Sequence, residues 1–493
     1  MSTTHDEVDV LVLGAGGAGL AAAQTAAVAG AHTVVLEPAT PVEHTPNVRM
    51  SGGWIMTLTE QETGDRYLRA CAKGLVDPGR ITDWADAAAT KLEPWLAGLG
   101  VDLIDEGTTR AAEHPGLPGS ESVHIRRAET DLPSPITGQR GWCRPDGPAR
   151  GGEALYRGLM HGLARAGVDI AWETRVASLI AGPDGEVLGV RLRDGGVIRA
   201  GDVVIATGGY GASPELIRNH LAVPDTKFYG NPLNDGSGLR LAVSVGATIA
   251  RMNRFVGRGI ASYVHEGHEI GFMVDMSGGG YVICDQQGLR YTNEQPQAAL
   301  THDFYYTMQH FDTVQGGYVR SPSYYLFDQQ RMDSGPLAYP DRGPGGVGLY
   351  DWSPDNGKEL AEGWIGRGAT PSEAAAAVGA TPSNSFDRAV QEYNDGCARG
   401  VDPFGRPADS LVVLDNPPYY CMPLHVGGPH TSGGPERDPA GRILRALDGE
   451  PVPGLLGAGE LGQAIGLLYP AAGCALSEAL CSGFRAGATA VGL

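Results

Sequence analysis

The run Gly14-Ala15-Gly16-Gly17-Ala18-Gly19 follows the apolar stretch Val8-Asp9-Val10-Leu11-Val12-Leu13 and is answered by Glu37, at the end of a second apolar run, Thr33-Val34-Val35-Leu36. A chain with this order has few ways to begin folding. A strand over 8–13 delivers the backbone to a tight turn at Gly14, Gly16 lets it approach a pyrophosphate, and Gly19 lets a helix over 20–29 pack closely on the strand. The free N–H groups at that helix start face the phosphates. Glu37 can accept hydrogen bonds from a ribose diol and disfavours a 2′-phosphate. The expected ligand is therefore an ADP-containing dinucleotide, FAD or NAD, rather than NADP.

The 493 residues suffice for two or three domains at about 150 residues each. A formal net charge of −20 repels nucleic acid and anionic membrane surfaces, so neither is an expected partner. No apolar run reaches the roughly 18 residues of a membrane span, and the first residues lack the basic region and apolar core of a signal peptide. The expectation is a cytoplasmic protein. Seven cysteines are scattered without a CxxC pair, which argues against a disulfide framework, a zinc or iron–sulfur site and an attached haem. His265 and His268 have no third ligand nearby, and no metal site is expected. No GxSxG appears, so Ser-His-Asp chemistry is not indicated.

Along the chain, residues 38–54 read as irregular, and the small Ser51, Gly52 and Gly53 suit a backbone lying against a planar ring. Arg49, in the same stretch, can pair with a substrate carboxylate or a cofactor phosphate. Helical patterns over 83–99 precede a polar, proline-rich stretch, 107–152, that reads as loop. A helix over 152–167, a strand over 168–172, a hairpin over 175–192 turning at Pro183-Asp184-Gly185, and a buried strand from 203 ending at Ala206-Thr207-Gly208-Gly209 follow. This order fits an α/β doubly wound sheet carrying a β-meander. From 262 the sequence becomes aromatic, with no second GxGxxG, and after 454 it returns to an apolar strand and an alanine- and glycine-rich helix over 475–491.

The first glycine run, Ala206-Thr207-Gly208-Gly209, Asn234-Asp235-Gly236-Ser237-Gly238, Gly288-Leu289-Arg290-Tyr291-Thr292-Asn293-Glu294, His430-Thr431-Ser432-Gly433-Gly434 and Gly457-Ala458-Gly459-Glu460 occur in the order seen in the fumarate reductase flavoprotein superfamily. The chain resembles that superfamily, which includes soluble fumarate reductases, 3-ketosteroid dehydrogenases and tricarballylate dehydrogenases, over nearly its whole length. The resemblance implies a Rossmann-like FAD-binding domain, 1–260 and 428–493, interrupted by an α+β capping domain, 261–427. It implies hydride exchange between flavin N5 and a CH–CH or C=C unit. The cofactor-binding residues expected from the motifs are Gly14, Gly16, Gly17, Ala18, Gly19, Glu37, Ser51, Gly52, Gly53, Ala206, Thr207, Gly208, Gly209, Asp235, Gly459, Glu460, Ala475 and Leu476. No His or Cys stands out as an attachment point, so FAD is expected to be held non-covalently.

Two positions separate the subfamilies. Residues 469–473, Tyr-Pro-Ala-Ala-Gly, lack the carboxylate-gripping Arg of the fumarate enzymes and resemble the Tyr-Pro-Gly-Gly-Gly of the 3-ketosteroid dehydrogenases, which assigns Tyr469 and Gly473 to the ketone oxygen. Four residues after Glu294, where the family carries an Arg or Tyr for proton transfer, stands Ala298; His302, Tyr305 and Tyr306 are the candidates to replace it. His430 matches the family histidine that binds a substrate oxygen. The leading expectation is an oxidoreductase that desaturates a ketone α,β to its carbonyl, or reduces the enone. The rivals are an unsaturated-acid reductase or dicarboxylate dehydrogenase using His430 and Arg49, and an electron-transfer flavoprotein with no substrate of its own.

Overall fold

The computed structural model describes residues 7–105, 112–135 and 147–493. Its first sheet grows from the apolar runs that open the sequence. Strand Glu7–Leu13 pairs in parallel with Thr33–Leu36 on one side and Val197–Ile205 on the other. Asp169–Ala171 extends the sheet beyond Thr33–Leu36, and Pro451–Gly457 with the antiparallel Arg442–Leu444 extends it beyond Val197–Ile205. Residues 10–13 and 33–36 are buried throughout, as strands covered on both faces must be. The hairpin Val176–Ala181 and Val187–Leu192 leans on Val197–Ile205 through an antiparallel ladder.

Helix Gly17–Val28 begins three residues before the expected position, because Gly16 is already its N-cap and Gly17, Ala18 and Gly19 are helical. It is buried from Ala18 to Gln24 and packs against Cys474–Thr489, the alanine- and glycine-rich helix near the other end of the sequence. The approach is backbone to backbone. A methyl group on Gly483 would stand 2.4 Å from the Ala18 carbonyl oxygen, and one on Gly487 would stand 2.3 Å from that of Ala22.

A second, seven-stranded sheet runs in the order His268–Phe272, Phe255–His265, Tyr419–Thr431, Ser323–Asp328, Tyr281–Cys284, with Lys227–Phe228 and Gly366–Gly368 also paired to Tyr419–Thr431. The stretch after residue 262 therefore carries much of a sheet, with an aromatic cluster of Phe272, Tyr350, Trp352 and Trp364 packed on it. Strands Phe255–His265 and Tyr419–Thr431 pair with each other and run through positions 260 and 427.

Two loop expectations are corrected. Residues 38–54 contain the short helix Asn47–Met50 and reach strand Trp54–Leu58, and 107–152 contain Val123–Thr130 and Ala149–Arg150. These strands join Asp102–Ile104 in a four-stranded sheet. Val123–Thr130 is hard to see in sequence because only Ile125, Ala128 and Thr130 are buried along it, while the charged Arg126 and Arg127 between them are half-buried and pair with Glu93 and Asp341. Positions 106–111 and 136–146 of that stretch, Cys143 included, lie outside the described residues. Among the described residues the cysteines are unpaired, no group of three or more His, Cys, Asp or Glu could hold a metal ion, and no helix is long and apolar enough to cross a membrane.

Gly19 tests the packing of the first helix, since a methyl group there would stand 1.9 Å from the Gly14 carbonyl oxygen. Gly19→Ala is expected to destabilise the protein by about 1–3 kcal/mol through overpacking, read as a lowered urea midpoint.

Candidate active site

The parallel strands Glu7–Leu13, Val197–Ile205 and Pro451–Gly457 end on one side of the sheet, and their carboxyl ends open into a single long cleft of about 1870 Å³ counting its mouth. That is where a doubly wound sheet binds its ligand. Gly14 turns at φ +103°, and a side chain there would meet the Ala206 carbonyl oxygen at 2.6 Å; a methyl on Gly16 would meet nothing, so this residue leaves its backbone open to the cleft. The start of helix Gly17–Val28 faces the same space, with Gly17 and Ala18 in the wall.

Glu37 lies at the end of strand Thr33–Leu36. Its Oε2 accepts the Ala15 N–H at 2.9 Å, its Oε1 accepts the Ala39 N–H at 3.1 Å, and His44 Nε2 stands 3.5 Å away. Burial raises its pKa, but the imidazole and the two N–H groups outweigh that, and the carboxyl is held below its ordinary value. It is thus an ionised acceptor in the cleft wall, suited to ribose hydroxyls.

Farther along, Glu460 gathers three chain segments. Asn47 Nδ2 and Asn234 Nδ2 donate to its Oε2 at 2.8 and 2.9 Å, and Thr431 donates to its Oε1 through N–H and Oγ1, both at 3.3 Å. Burial still pushes its pKa up to about 7. Thr207 Oγ1 and Gln463 Oε1, both of residues that line the cleft, are buried without a partner among the described residues. Ser51, Gly52, Gly53, Ala206, Gly208, Gly459, Ala475 and Leu476 complete this wall, the last two at the start of helix Cys474–Thr489. A glycine cradle, a helix start, an ionised carboxylate and unpartnered polar atoms in one elongated cleft fit FAD. Gly19 and Gly209 stand behind this lining, Gly209 in a place where a methyl group would run into Thr431 Oγ1 and Glu460 Oε1.

Two expected ligand-binding residues are placed elsewhere. Asp235 does not line the cleft: its Oδ1 accepts the Ser237 N–H at 2.9 Å, and its neighbours Asn234 and Ser237 face the cavity instead. Arg49 is buried away from the cleft, its Nε on Glu153 Oε2 at 2.8 Å, its Nη1 on the His44 carbonyl at 2.9 Å, and its guanidinium over the Tyr156 ring. With these bonds it holds the fold together and offers no free cation to a substrate.

Tyr469, Gly473, His302 and His430 also line the cleft. Gly473 has φ +83°, and a methyl group there would stand 2.4 Å from the Trp54 carbonyl oxygen, so residues 469–473 can enter the helix only through glycine. The Tyr469 hydroxyl accepts the Ala475 N–H at 3.4 Å, and burial holds its pKa well above the ordinary value. The His302 ring stacks on Tyr469, with centroids 4.3 Å apart. Its Nδ1 meets Glu113 Oε1 at 2.5 Å and its backbone N–H donates to Glu113 Oε2 at 2.9 Å. A carboxylate oxygen only accepts, so the imidazole proton sits on Nδ1 and Nε2 carries the lone pair. Burial and the charge of Arg258 push the His302 pKa down, against the pull of Glu113.

Glu113 escapes the sequence reading because it sits in the stretch taken for loop and matches no motif. It also ties the site together: its N–H donates to the Pro470 carbonyl, beside Tyr67 Oη, which donates to the same oxygen. Asp303 Oδ2 accepts the Tyr469 N–H at 2.8 Å and lies 3.1 Å from His114 Nε2. Tyr305 is corrected: its ring is buried between Phe255 and Tyr306 and does not line the cleft. Tyr306 Oη accepts from Arg254 and donates to the Leu467 carbonyl, also outside the lining. Ala298 closes the short helix Gln295–Ala298 and packs on the core. His430 Nδ1 donates to the Thr431 carbonyl at 2.9 Å, which leaves Nε2 as a buried, unpartnered acceptor, and burial pushes the ring pKa down to about 4.

The FAD binding domain family matches residues 9–476. A 4-oxocyclohexanecarboxylate 2-dehydrogenase from Sinomonas cyclohexanicum is 28% identical, over 100% of this chain and 94% of the relative. An NADH:fumarate oxidoreductase from Klebsiella pneumoniae (strain 342) is 25% identical over 92% of this chain, which spans 44% of that longer protein. The crystal structure of a 3-ketosteroid delta1-dehydrogenase from Sterolibacterium denitrificans superposes with a TM-score of 0.82 at 21% identity, covering 98% of this chain and 99% of that one, and so shares the fold.

Because a methyl group on Gly16 meets no protein atom but enters the cleft, Gly16→Ala is expected to fold with unchanged urea midpoint and to bind FAD at least about 10-fold more weakly, measured by flavin fluorescence on titration into apoprotein.

Proposed function

Since the chain belongs to the FAD binding domain family and is an FAD-dependent oxidoreductase, we propose that it removes hydrogen from the carbons α and β to a ketone, and that residues 469–473 with His302 and Glu113 form its reacting end. Residues 1–260 and 428–493 are read as the FAD-binding domain and 261–427 as the domain that caps it. FAD is read as held without a covalent bond. The place of action is the cytoplasm. The electron acceptor is left unassigned.

When bound, FAD supplies the acceptor for the two electrons and the hydrogen that leave Cβ as hydride. The protein's task is to make the α proton acidic and remove it. The Tyr469 hydroxyl and the Gly473 N–H hold the ketone oxygen, where negative charge grows as the α proton departs. Tyr469 suits this because its raised pKa keeps it a donor at neutral pH. His302 Nε2 takes the proton, and Glu113 both fixes the tautomer and stabilises the imidazolium that forms. The lowered His302 pKa keeps the ring neutral, and therefore basic, near pH 7.

The observation that carries this reading is the stacking of a carboxylate-bound imidazole on Tyr469. It supplies the acid/base group that Ala298 lacks, from four residues farther along the chain. The relatives act, by their names, on a cyclic ketone carboxylate and on a steroid ketone. An acid reductase built on His430 and Arg49 has less support, since Arg49 is committed to Glu153 and the His430 proton to Thr431.

Tyr469→Phe should retain FAD and lose about 100-fold in kcat, the usual effect of one lost oxyanion donor; full activity would sink the assignment. Glu113→Gln removes the group that raises the His302 pKa, so the acid limb of the kcat/KM profile should move to lower pH while the plateau falls about 100-fold. A purely structural Glu113 would lower the plateau without moving the limb. Anaerobic addition of cyclic ketones should bleach the flavin band, and dicarboxylic acids should not.

A further inference from the structure

Arg258 is 1% exposed, and its Nε and Nη1 are buried with no partner among the described residues. The other fully buried arginines donate to the protein: Arg49 and Arg157 to Glu153, Arg331 to the Asp275 and Pro336 carbonyls, Arg437 to the Gly457 and Gly462 carbonyls. Arg258 differs from them also in lining the active-site cleft. A buried guanidinium without a counter-charge is unfavourable, and bringing in an anion would relieve it.

The backbone explains how it comes to face the cleft. Along the ladder between Phe255–His265 and Tyr419–Thr431, Val256 pairs with His430 but Arg258 pairs with Gly427, a slip of one residue that re-aims the side chain. The residue between them, Gly257, donates its N–H to the His302 carbonyl at 2.9 Å. Arg258 therefore enters the cavity near the proton-accepting histidine, from the second sheet and not from the first, whose strand leads into the glycine turn at 14–19. Neighbouring groups cannot take its place. His430 presents a lone pair, which accepts rather than donates, and Arg342, also in the wall, is committed to both oxygens of Asp341.

We propose that Arg258 anchors a carboxylate subsite, and that the substrate is a ketone carrying a carboxylate remote from its carbonyl, its carbon skeleton lying between Arg258 and the oxygen site at Tyr469 and Gly473. The substrate half of this proposal rests on the ketone reading above; the anion subsite stands apart from it. Arg258 does not act on the reacting atoms. It sets which end of the molecule lies toward His302 and selects against neutral ketones of the same size.

The test uses FAD-loaded wild type, Arg258→Gln and Arg258→Lys. The first probe is cyclohexanecarboxylate, which has no ketone to oxidise. It should perturb the flavin band saturably in wild type, bind about 100-fold more weakly to Arg258→Gln, and recover in part in Arg258→Lys. The second is a cyclohexanone bearing a 4-carboxylate, against its methyl ester. Wild type should prefer the acid by about 100-fold in kcat/KM, and Arg258→Gln should bring that ratio close to one. Equal binding of cyclohexanecarboxylate by wild type and Arg258→Gln overturns the proposal, as does an ester used as well as the acid by wild type. So does an Arg258→Gln variant that binds FAD more weakly, or shifts the flavin potential, while its FAD-loaded form keeps the acid-to-ester ratio. If cyclohexanecarboxylate binds through Arg258 but neither ketone reduces the flavin, the anion subsite is supported and the ketone reading alone fails.

Discussion

The contact between helices Gly17–Val28 and Cys474–Thr489 sets the geometry of everything else. Their main chains touch at Gly483 on Ala18 and at Gly487 on Ala22, an approach that any larger side chain would prevent. Because each helix start borders the cleft, this contact fixes the turn at 14–19 and residues 469–473 relative to one another across more than 400 positions of sequence. Both helix starts bring N–H groups and the positive end of the backbone dipole to the same cavity, one suited to phosphate and the other to the ring and the oxygen it activates.

The strand Tyr419–Thr431 carries that frame into the second sheet. It pairs with Phe255–His265 and Ser323–Asp328 along its length and ends at Thr431, whose N–H and hydroxyl reach Glu460. Asn47 and Asn234 reach the same carboxylate from two further segments. The cleft thus varies in charge across its wall: an ionised Glu37, a Glu460 carboxyl pushed up to about 7, and at Arg258, beside His302, a cation with no counter-charge among the described residues.

What the sequence displays is what depends on local chemistry. The glycine turn, its acid partner at Glu37 and the uninterrupted apolar strands announce the first sheet and its ligand, because spacing along a strand–turn–helix unit is a short-range property. Tyr469 and Gly473 are legible for a different reason, the resemblance of residues 469–473 to the Tyr-Pro-Gly-Gly-Gly of the 3-ketosteroid dehydrogenases. Glu113 is not, since nothing in its own neighbourhood marks it; only the fold sets it against His302, 189 positions away. Arg49 and Tyr305 mislead in the opposite sense. A cation beside a glycine-rich stretch and a tyrosine near a missing acid both suggest chemistry, yet Glu153 and Phe255, remote in sequence, turn each of them into packing. Strand Val123–Thr130 is hidden by charged, half-buried arginines whose partners also come from distant segments.

The two ends of the cleft are made of different materials. The cradle at 14–19 is largely main chain, fixed by hydrogen bonds and by the absence of side chains, so there is little in it to vary. The far end consists of side chains, among them Arg258 and His302 from the second sheet and its loops and Glu113 from the stretch that carries the four-stranded sheet, and the slip between Val256 and Arg258 moves a side chain into the cavity without disturbing the strands on either side. A fold built this way separates inheritance from invention: its electron-carrying half can stay constant while a handful of exchanges in the other half redirects it from one carbon skeleton to another.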